Sequence, residues 1–202
     1  MAETKPLALD QIPLVLPHEA AFGRDDFLPG ASNAAAVSLI ESWPDWPSPV
    51  VLLAGPVGSG KTHLVHVWQE ISGAVIVNAR DLVETEADAL ARHGAVAVED
   101  AHAGVDQAAL FHLINAVRGH GAHLLVTART WPQSWGLTLP DLASRLRAAT
   151  PLEILEPDDE LLSRVLVKLF ADRQIDVDPA VLEETAERFG AGVVLRESRH
   201  AR

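Results

Sequence analysis

The sequence predicts an α/β fold with a three-layer core built on a parallel sheet, followed by a short α-helical lid. Short apolar runs bounded by turns, such as VVLLA at 50–54 and HLLVTA at 123–128, are typical of strands buried on both faces. Helical stretches separate these runs, and such alternation indicates parallel strands joined by crossover helices. Hydrophobic residues form 48% of the 202-residue chain, which is enough to fill such a core.

The predicted elements divide the chain into an N-terminal arm, a core and a lid. Residues 1–20 contain three prolines and no helical period, so we expect an extended arm there. The core spans 21–156 and the lid 157–202. We expect helices from Ser32 and at 61–71, 81–92, 106–118 and 140–147, and strands at 50–54, 74–78, 95–98, 123–128 and 151–155. The first lid helix carries on one side Leu161, Leu162, Val165, Leu169 and Phe170.

Composition narrows the functions that the chain can have. Its formal net charge of −12 disfavours contact with DNA phosphates, and no basic run offsets it, so we expect no direct sequence-specific DNA binding. The absence of cysteine excludes thiol catalysis, disulfides and cysteine-ligated zinc. The N-terminus does not resemble a signal peptide, and no apolar run approaches the ~20 residues of a membrane span. We therefore expect a cytoplasmic protein without membrane contact.

A glycine-rich motif follows the first buried strand. GPVGSGKT, at 55–62, matches G-x-x-x-x-G-K-[ST] and lies between a strand and a helix, as a phosphate-binding loop (P-loop) requires. Its N–H groups can wrap phosphates, Lys61 can reach the β- and γ-phosphates, and Thr62 can ligate Mg²⁺. The expected cofactors are therefore ATP or ADP with Mg²⁺. The residues predicted to bind nucleotide here are Gly55, Pro56, Val57, Gly58, Ser59, Gly60, Lys61, Thr62 and His63.

Two acidic residues follow the third predicted strand. Glu99 and Asp100 come directly after AVAV, where an acidic residue can hold Mg²⁺ and orient an attacking water. Such a pair can also be a solvated cap on a turn, but the P-loop favours the functional interpretation. We therefore predict Thr62 and Glu99 as metal ligands and Asp100 as a catalytic residue.

Residues after the fourth strand and before the fifth give less specific signals. Thr127 or Arg129 could sense the γ-phosphate, but both positions suit an ordinary turn at a strand end equally well. Arg145 and Arg147 lie near the end of the helix at 140–147, where an arginine could reach a neighbouring subunit's nucleotide. Spacing alone favours the plainer alternative, a surface arginine that stabilises the helix C-terminus.

These motifs, taken together, resemble a known family. FGRDDFLPGASNAAAVSLIESWPDWPSPVVLLAGPVGSGKTHLVHVW, VAVEDAH and LPDLASRL are similar to the AAA+ module of the bacterial replication initiator DnaA. They are more similar still to its short relatives, the Hda proteins of alphaproteobacteria. The likeness covers about residues 9–189 and implies an AAA+ core with a helical lid.

The resemblance implies roles for further residues, and the sequence also departs from the family pattern at several positions. By this resemblance, Phe27 and Asn33 would lie near the adenine. Arg145 falls where the family has its arginine finger, so the resemblance favours a role at a neighbouring subunit's nucleotide over a surface arginine that stabilises the helix C-terminus. Glu99 stands where an aspartate is usual, and TART at 127–130 replaces Thr-Ser-Asp-Arg. The final segment, GAGVVLRESRHAR, does not resemble the family's remaining lid helices and sensor arginine.

The N-terminal arm carries a resemblance of its own. QIPLVLP, at 11–17, is similar to the Gln-x-x-Leu-x-Leu peptide by which Hda proteins bind the sliding clamp, the β subunit of DNA polymerase III. The resemblance implies that Gln11, Leu14 and Leu16 bind the clamp, with the leucines in an apolar groove. The alternative is an arm packed on its own domain.

The function implied by the resemblance is negative regulation of replication initiation. The chain would bind adenine nucleotide and the clamp, and would present Arg145 to ATP held by DnaA, whose hydrolysis inactivates DnaA. Its expected partners are DnaA and the clamp, with a homo-oligomer as an open possibility and only weak ATPase activity of its own. The alternatives are a self-contained P-loop ATPase, such as a loader or motor, and a degenerate scaffold that needs no nucleotide.

Overall fold

The computed structural model describes residues 23–172. The clamp-binding candidates Gln11, Leu14 and Leu16, the predicted arm and the lid beyond Asp172 therefore lie outside the described residues. The elements within the described range are α1 (Ala34–Glu41), β1 (Val50–Ala54), α2 (Lys61–Ser72), β2 (Val75–Asn78), α3 (Ala87–Ala91), β3 (Ala95–Glu99), α4 (Gln107–His120), β4 (His123–Ala128), α5 (Pro140–Arg147), β5 (Thr150–Glu153) and α6 (Asp159–Asp172).

The strands form one parallel sheet in the order β2-β3-β4-β1-β5. β1 is buried along its whole length between β4 and β5, which explains its continuous apolar sequence. Ala54, the last residue of β1, is level with Ala128 at the end of β4 and with Glu153 at the end of β5. The P-loop therefore leaves the sheet at its carboxyl edge.

Helices cover both faces of the sheet. Alternate residues of β1 point to opposite faces, so that Val51 and Leu53 pack with α1 and α2, whereas Val50 and Leu52 pack with α3, α4 and α5. This arrangement confirms the predicted three-layer α/β core. Across residues 23–172, each helix is too short or too polar to span a lipid bilayer.

Two helices begin at least two residues later than the sequence predicts. α1 begins at Ala34 rather than Ser32, because the Asn33 carboxamide accepts from the Gly30 N–H at 2.8 Å and donates to the Leu28 carbonyl at 3.1 Å, which holds the preceding residues in a turn. The helix predicted over 81–92 is a 3-10 turn at Glu84–Glu86 followed by the short α3. An extended Val83 precedes that turn and prevents an earlier start.

The lid helix α6 is less buried than its pattern predicts. Of the apolar residues expected on one side, Leu161 is 5% exposed and Leu169 is 41% exposed, while Leu162, Val165 and Phe170 are partly buried. Within the described residues, α6 contacts the segment before α1. Leu161 packs against Gly30, and the Lys168 ammonium pairs with the Asp26 carboxylate at 2.6 Å.

Candidate functional site

The P-loop is a tight strand-to-helix turn. The Gly55 N–H donates to the Ala128 carbonyl at 3.2 Å, which ties the start of the loop to β4. A Cβ on Gly55 would lie 2.5 Å from the Ile154 carbonyl, so no larger residue fits without displacing backbone. Gly60, with φ +97°, adopts the left-handed conformation directly before α2. The first turn of α2 therefore follows the loop, as in sites where a helix N-terminus binds phosphate.

The predicted loop residues are divided between an exposed tip and a buried base. Val57 is 44% exposed, and Gly58 beside it is also exposed. Ser59 is buried, and its hydroxyl accepts from the Lys61 ammonium at 3.4 Å.

Lys61 is buried although its side chain carries charge. Its Nζ donates to the Gly55 carbonyl at 2.7 Å and to the Pro56 carbonyl at 2.6 Å. Burial lowers the pKa of Lys61, and the Asp100 carboxylate opposes that shift. Within the described residues no carboxylate forms an ion pair with Lys61, so its positive charge is directed to the loop itself. A loop with this buried cation fits an anionic phosphate group.

The fold brings the two predicted metal ligands into contact. The Thr62 hydroxyl donates to Glu99 Oε1 at 2.8 Å, although 37 positions separate them in sequence. Glu99 is the last residue of β3, and Thr62 lies in the first turn of α2. A hydroxyl and a carboxylate at one point fit Mg²⁺, which prefers oxygen ligands. Thr62 and Glu99 therefore remain the residues predicted to hold the ion.

Asp100 and Thr127 are joined by a hydrogen bond between neighbouring strand ends. The Asp100 N–H donates to Thr127 Oγ1 at 3.1 Å. Asp100 is the one non-glycine residue with positive φ, 58°, in the described part of the chain, and Thr127 is 1% exposed. The bond helps to hold the strained turn after β3. Thr127 therefore stabilises the turn after β3, a role that its position at a strand end does not by itself indicate.

His102 is a site residue that sequence reasoning missed. Its Nδ1 accepts from the Arg129 N–H at 3.3 Å and lies 3.9 Å from Asp100 Oδ1. Burial lowers the pKa of His102, and the Asp100 carboxylate opposes the shift. His102 lies in the 3-10 turn Ala101–Ala103, directly after the acidic pair. Its spacing of three residues from Glu99 was the signal that could have placed it at the same edge of the sheet.

The segment before α1 packs beside the P-loop and the first turn of α2. The Phe27 ring is 3.1 Å from where a Cβ on Gly60 would lie, and it meets the His63 ring edge-on with centroids 5.0 Å apart. His63 Nε2 also lies 3.0 Å from the Gly23 carbonyl. Phe27 and His63 are therefore adjacent to the loop. The Asn33 carboxamide is engaged within its own turn, so that an adenine contact by Asn33 stays a prediction.

Arg145 takes part in none of these contacts. It lies in the last turn of α5 and is partly buried. Among residues 23–172, its guanidinium makes no hydrogen bond and no ion pair. The fold thus assembles Lys61, Thr62, Glu99 and Asp100 at one edge of the sheet, whereas the Arg145 guanidinium has no partner within the described part of the chain.

Known proteins share this architecture. No protein-family model matches the chain. The chain is 25% identical over 196 residues to the chromosomal replication initiator protein DnaA of Cutibacterium acnes. That match covers 84% of this chain but only 39% of the length of DnaA.

Solved structures of DnaA show the same fold. The AMPPCP-bound DnaA from Aquifex aeolicus superposes with a TM-score of 0.71 at 16% identity, covering 84% of this chain and 61% of that one. Domain III of Thermotoga maritima DnaA gives a TM-score of 0.68 at 19% identity, covering 85% of this chain and 82% of that one. The AAA+ fold is therefore confirmed, and the sequence match supports a DnaA-like P-loop domain.

Proposed function

We propose that this chain is a nucleotide-binding regulator of replication initiation that acts as Hda proteins do, by stimulating ATP hydrolysis on DnaA. The observation that carries the proposal is the guanidinium of Arg145, which has no partner among the described residues of a DnaA-like domain. A guanidinium stays charged at any physiological pH and can offset negative charge that develops during phosphoryl transfer. Arg145 would provide that charge to ATP bound by DnaA.

Binding of ATP or ADP is the first part of the proposal. The P-loop N–H groups and Lys61 would hold the phosphates, Thr62 and Glu99 would hold Mg²⁺, and Asp100 would orient water at the chain's own nucleotide. Mg²⁺ in such a site neutralises phosphate charge. The AMPPCP-bound DnaA structure, which has the same fold, supports adenine nucleotide as the ligand.

Attachment to the sliding clamp is the second part. Gln11, Leu14 and Leu16 lie outside the described residues, and their proposed role rests on the resemblance of QIPLVLP to a clamp-binding peptide. A peptide tether raises the local concentration of Arg145 near DnaA without any strong direct contact between the two proteins. The net charge of −12 also favours recruitment through a protein partner over recruitment through DNA phosphates.

A reconstituted hydrolysis assay tests the proposal. ATP hydrolysis by DnaA is measured with DNA-loaded clamp and either the wild-type chain, Arg145→Ala or the double variant Gln11→Ala/Leu14→Ala. We expect stimulation by the wild type and its loss in both variants, each of which should stay folded. Full stimulation by Arg145→Ala would show that the arginine assignment is wrong.

A self-contained ATPase is the second candidate function. It is favoured by the contact between Thr62 and Glu99 and by the Asp100–Thr127 bond, because both assemble acidic and polar groups around this chain's own P-loop. Steady hydrolysis by the purified chain alone, abolished by Glu99→Gln, would support this function. Little hydrolysis alone, together with stimulation of DnaA, supports the regulator.

A further inference from the structure

The two ends of α5, the helix that carries Arg145, are held in different ways. The C-terminal end leads after a short turn to β5, which pairs with β1 in the sheet. The N-terminal end follows a longer connection, residues 129–139, from the end of β4. Pro140, the first residue of α5, has no N–H, and Leu139 at the N-cap position has an apolar side chain. Neither of these side chains can cap the helix, because capping requires a polar group.

Gln107 of α4 holds the start of α5 instead. Its side-chain carbonyl oxygen, Oε1, accepts from the Thr138 N–H at 2.8 Å and from the Leu139 N–H at 3.1 Å. The Thr138 hydroxyl donates to the same oxygen over a longer distance of 3.3 Å. One side-chain oxygen therefore ties the last two residues before α5 to another helix.

Gln107 is itself attached to a well-fixed helix. It is the first residue of α4, and the Asp106 carboxylate before it caps α4 by accepting from the Ala108 N–H at 2.9 Å and the Ala109 N–H at 3.0 Å. Farther along, α4 contributes fully buried side chains such as Leu113 to the core beneath the sheet. A side chain extending from such a base can fix the position of a neighbouring element.

A movement at the start of α5 would be passed on to Arg145. Because β5 holds the C-terminal end, a released helix would pivot about that end. With a uniform rise of about 1.5 Å per residue, Arg145 lies about halfway between Pro140 and Thr150, so it would move about half as far as the helix start. A misplacement of about 1 Å can lower the rate of a catalysed reaction by about 100-fold. Even a small movement of α5 is therefore expected to affect a reaction that depends on Arg145.

We propose that Gln107 is a positioning residue, which holds the start of α5 so that the Arg145 guanidinium reaches ATP bound by DnaA. The inference rests on the proposed function of Arg145. Gln107 contacts neither nucleotide and acts through the backbone of Thr138 and Leu139 and the helix that follows them. Its loss should therefore affect hydrolysis on the partner and leave this chain's own nucleotide binding unchanged.

The experiment separates the rate of hydrolysis from the association of the proteins. Single-turnover hydrolysis of ATP by DnaA, with DNA-loaded clamp, is measured over a range of concentrations of the full chain. We expect Gln107→Met, which keeps the side-chain length and the helix propensity but removes the acceptor, to lower the maximal rate about tenfold. The concentration that gives half-maximal stimulation should change by no more than about twofold. Gln107→Ala removes the acceptor in a second way and should show the same loss.

Gln107→Glu tests the hydrogen bonds themselves. Its carboxylate can accept from the same two N–H groups and is favoured near a helix N-terminus, so it should retain most of the maximal rate. Gln69→Met is the matched control, because it removes a glutamine whose amide donates to the Ala74 carbonyl at 3.2 Å. Gln69 belongs to α2, on the face of the sheet opposite α5, and its variant should stimulate DnaA as the wild type does.

The outcomes separate this inference from the proposed function. An unchanged maximal rate in Gln107→Met, or equal losses in Gln107→Met and Gln107→Glu, would overturn the positioning role while the role of Arg145 stands. A loss of ADP affinity in Gln107→Met, measured by isothermal titration, would also overturn it, because the change would then extend beyond α5. If the wild-type chain fails to stimulate DnaA, or Arg145→Ala stimulates fully, the proposed function is wrong and this inference with it.

Discussion

The carboxyl edge of the sheet and the end of α5 differ in whether their charged side chains bond within the chain. At the edge, Lys61 bonds to loop carbonyls, Thr62 bonds to Glu99, and the Asp100 N–H bonds to Thr127. At the end of α5, Arg145 is partly buried, and its guanidinium makes no hydrogen bond or ion pair with any described residue. The groups at the carboxyl edge therefore bond to one another, whereas the cation at the end of α5 has no partner among the described residues.

This contrast distinguishes two ways of using a nucleotide. Groups that already bond to one another are preorganised for a ligand held by the same chain. A guanidinium without an internal partner costs little to redirect toward a ligand held by another molecule, because no existing bond has to break. The P-loop edge is therefore expected to govern this chain's own nucleotide binding, and Arg145 to govern its effect on a partner.

The largest expected effect is that of Lys61→Ala on nucleotide binding. Removing the buried ammonium should cost about 2–5 kcal/mol of binding free energy, a loss of about 30-fold or more in affinity for ADP. Isothermal titration of the full chain measures it. Arg145→Ala is the matched removal of a cation from the other region and should leave ADP affinity unchanged. A comparable loss in Arg145→Ala would place both arginine and lysine at the same nucleotide.

Gly55→Ala should have the next largest effect, on stability. Its Cβ would lie 2.5 Å from the Ile154 carbonyl, so backbone must move, at a cost of about 1–3 kcal/mol in the free energy of unfolding. Gly119→Ala is the control, since it lies within α4 with nothing within 4 Å, and it should stabilise by about 0.5–1 kcal/mol. Urea unfolding monitored by circular dichroism measures both. Equal stability of the two variants would contradict the tight packing at Gly55.

Glu99→Gln should reduce the contribution of Mg²⁺ to nucleotide binding. The loss of one carboxylate ligand is expected to weaken ADP binding about tenfold with Mg²⁺ present and to change it little with EDTA. Glu86→Gln removes the same charge from an exposed turn and should behave as the wild type. Titrations with and without the metal give the comparison. A loss of equal size under both conditions would show that Glu99 is not a ligand.

The smallest expected effect is a pH dependence due to His102. Burial lowers the pKa of His102 below its usual value of about 6.5, so the unfolded chain binds this proton more readily than the folded chain. The stability of the wild type should therefore fall as pH drops through about 6.5 toward the lowered pKa. His102→Gln cannot take up a proton and should lose less stability over the same range. Urea unfolding across this pH range measures the difference, and identical slopes would contradict the shift.

Local sequence accounts for much of the fold and for the P-loop. The predicted strand at 50–54 and the predicted helix at 140–147 have the bounds found in β1 and α5, because an apolar run and a proline-initiated helix are signals carried within the segments themselves. The late start of α1 follows from Asn33 hydrogen bonds to residues three and five positions away. Such side-chain-to-backbone bonds compete with helix formation, and hydrophobic periodicity does not record them.

The contacts that complete the site depend on tertiary register. His102 bonds to a residue 27 positions away, and Thr62 bonds to one 37 positions away. Both contacts require that β3, β4 and β1 end at one level, which the order of motifs along the chain does not specify. The motifs therefore predicted roles for Thr62, Glu99 and Asp100, whereas His102, the last residue of VAVEDAH, gained a role only from the contact with Arg129 that the fold creates.

A single-turnover assay tests most directly whether Arg145 acts on a partner's nucleotide. DnaA is loaded with radiolabelled ATP, freed of excess nucleotide and mixed with DNA-loaded clamp and this chain, and the labelled ADP is quantified. Arg147→Ala is the matched control, because it removes an exposed arginine from the same helical turn. We predict rapid conversion with the wild type and Arg147→Ala, and only the basal rate of DnaA with Arg145→Ala. Rapid conversion with Arg145→Ala would contradict the proposed role of this arginine.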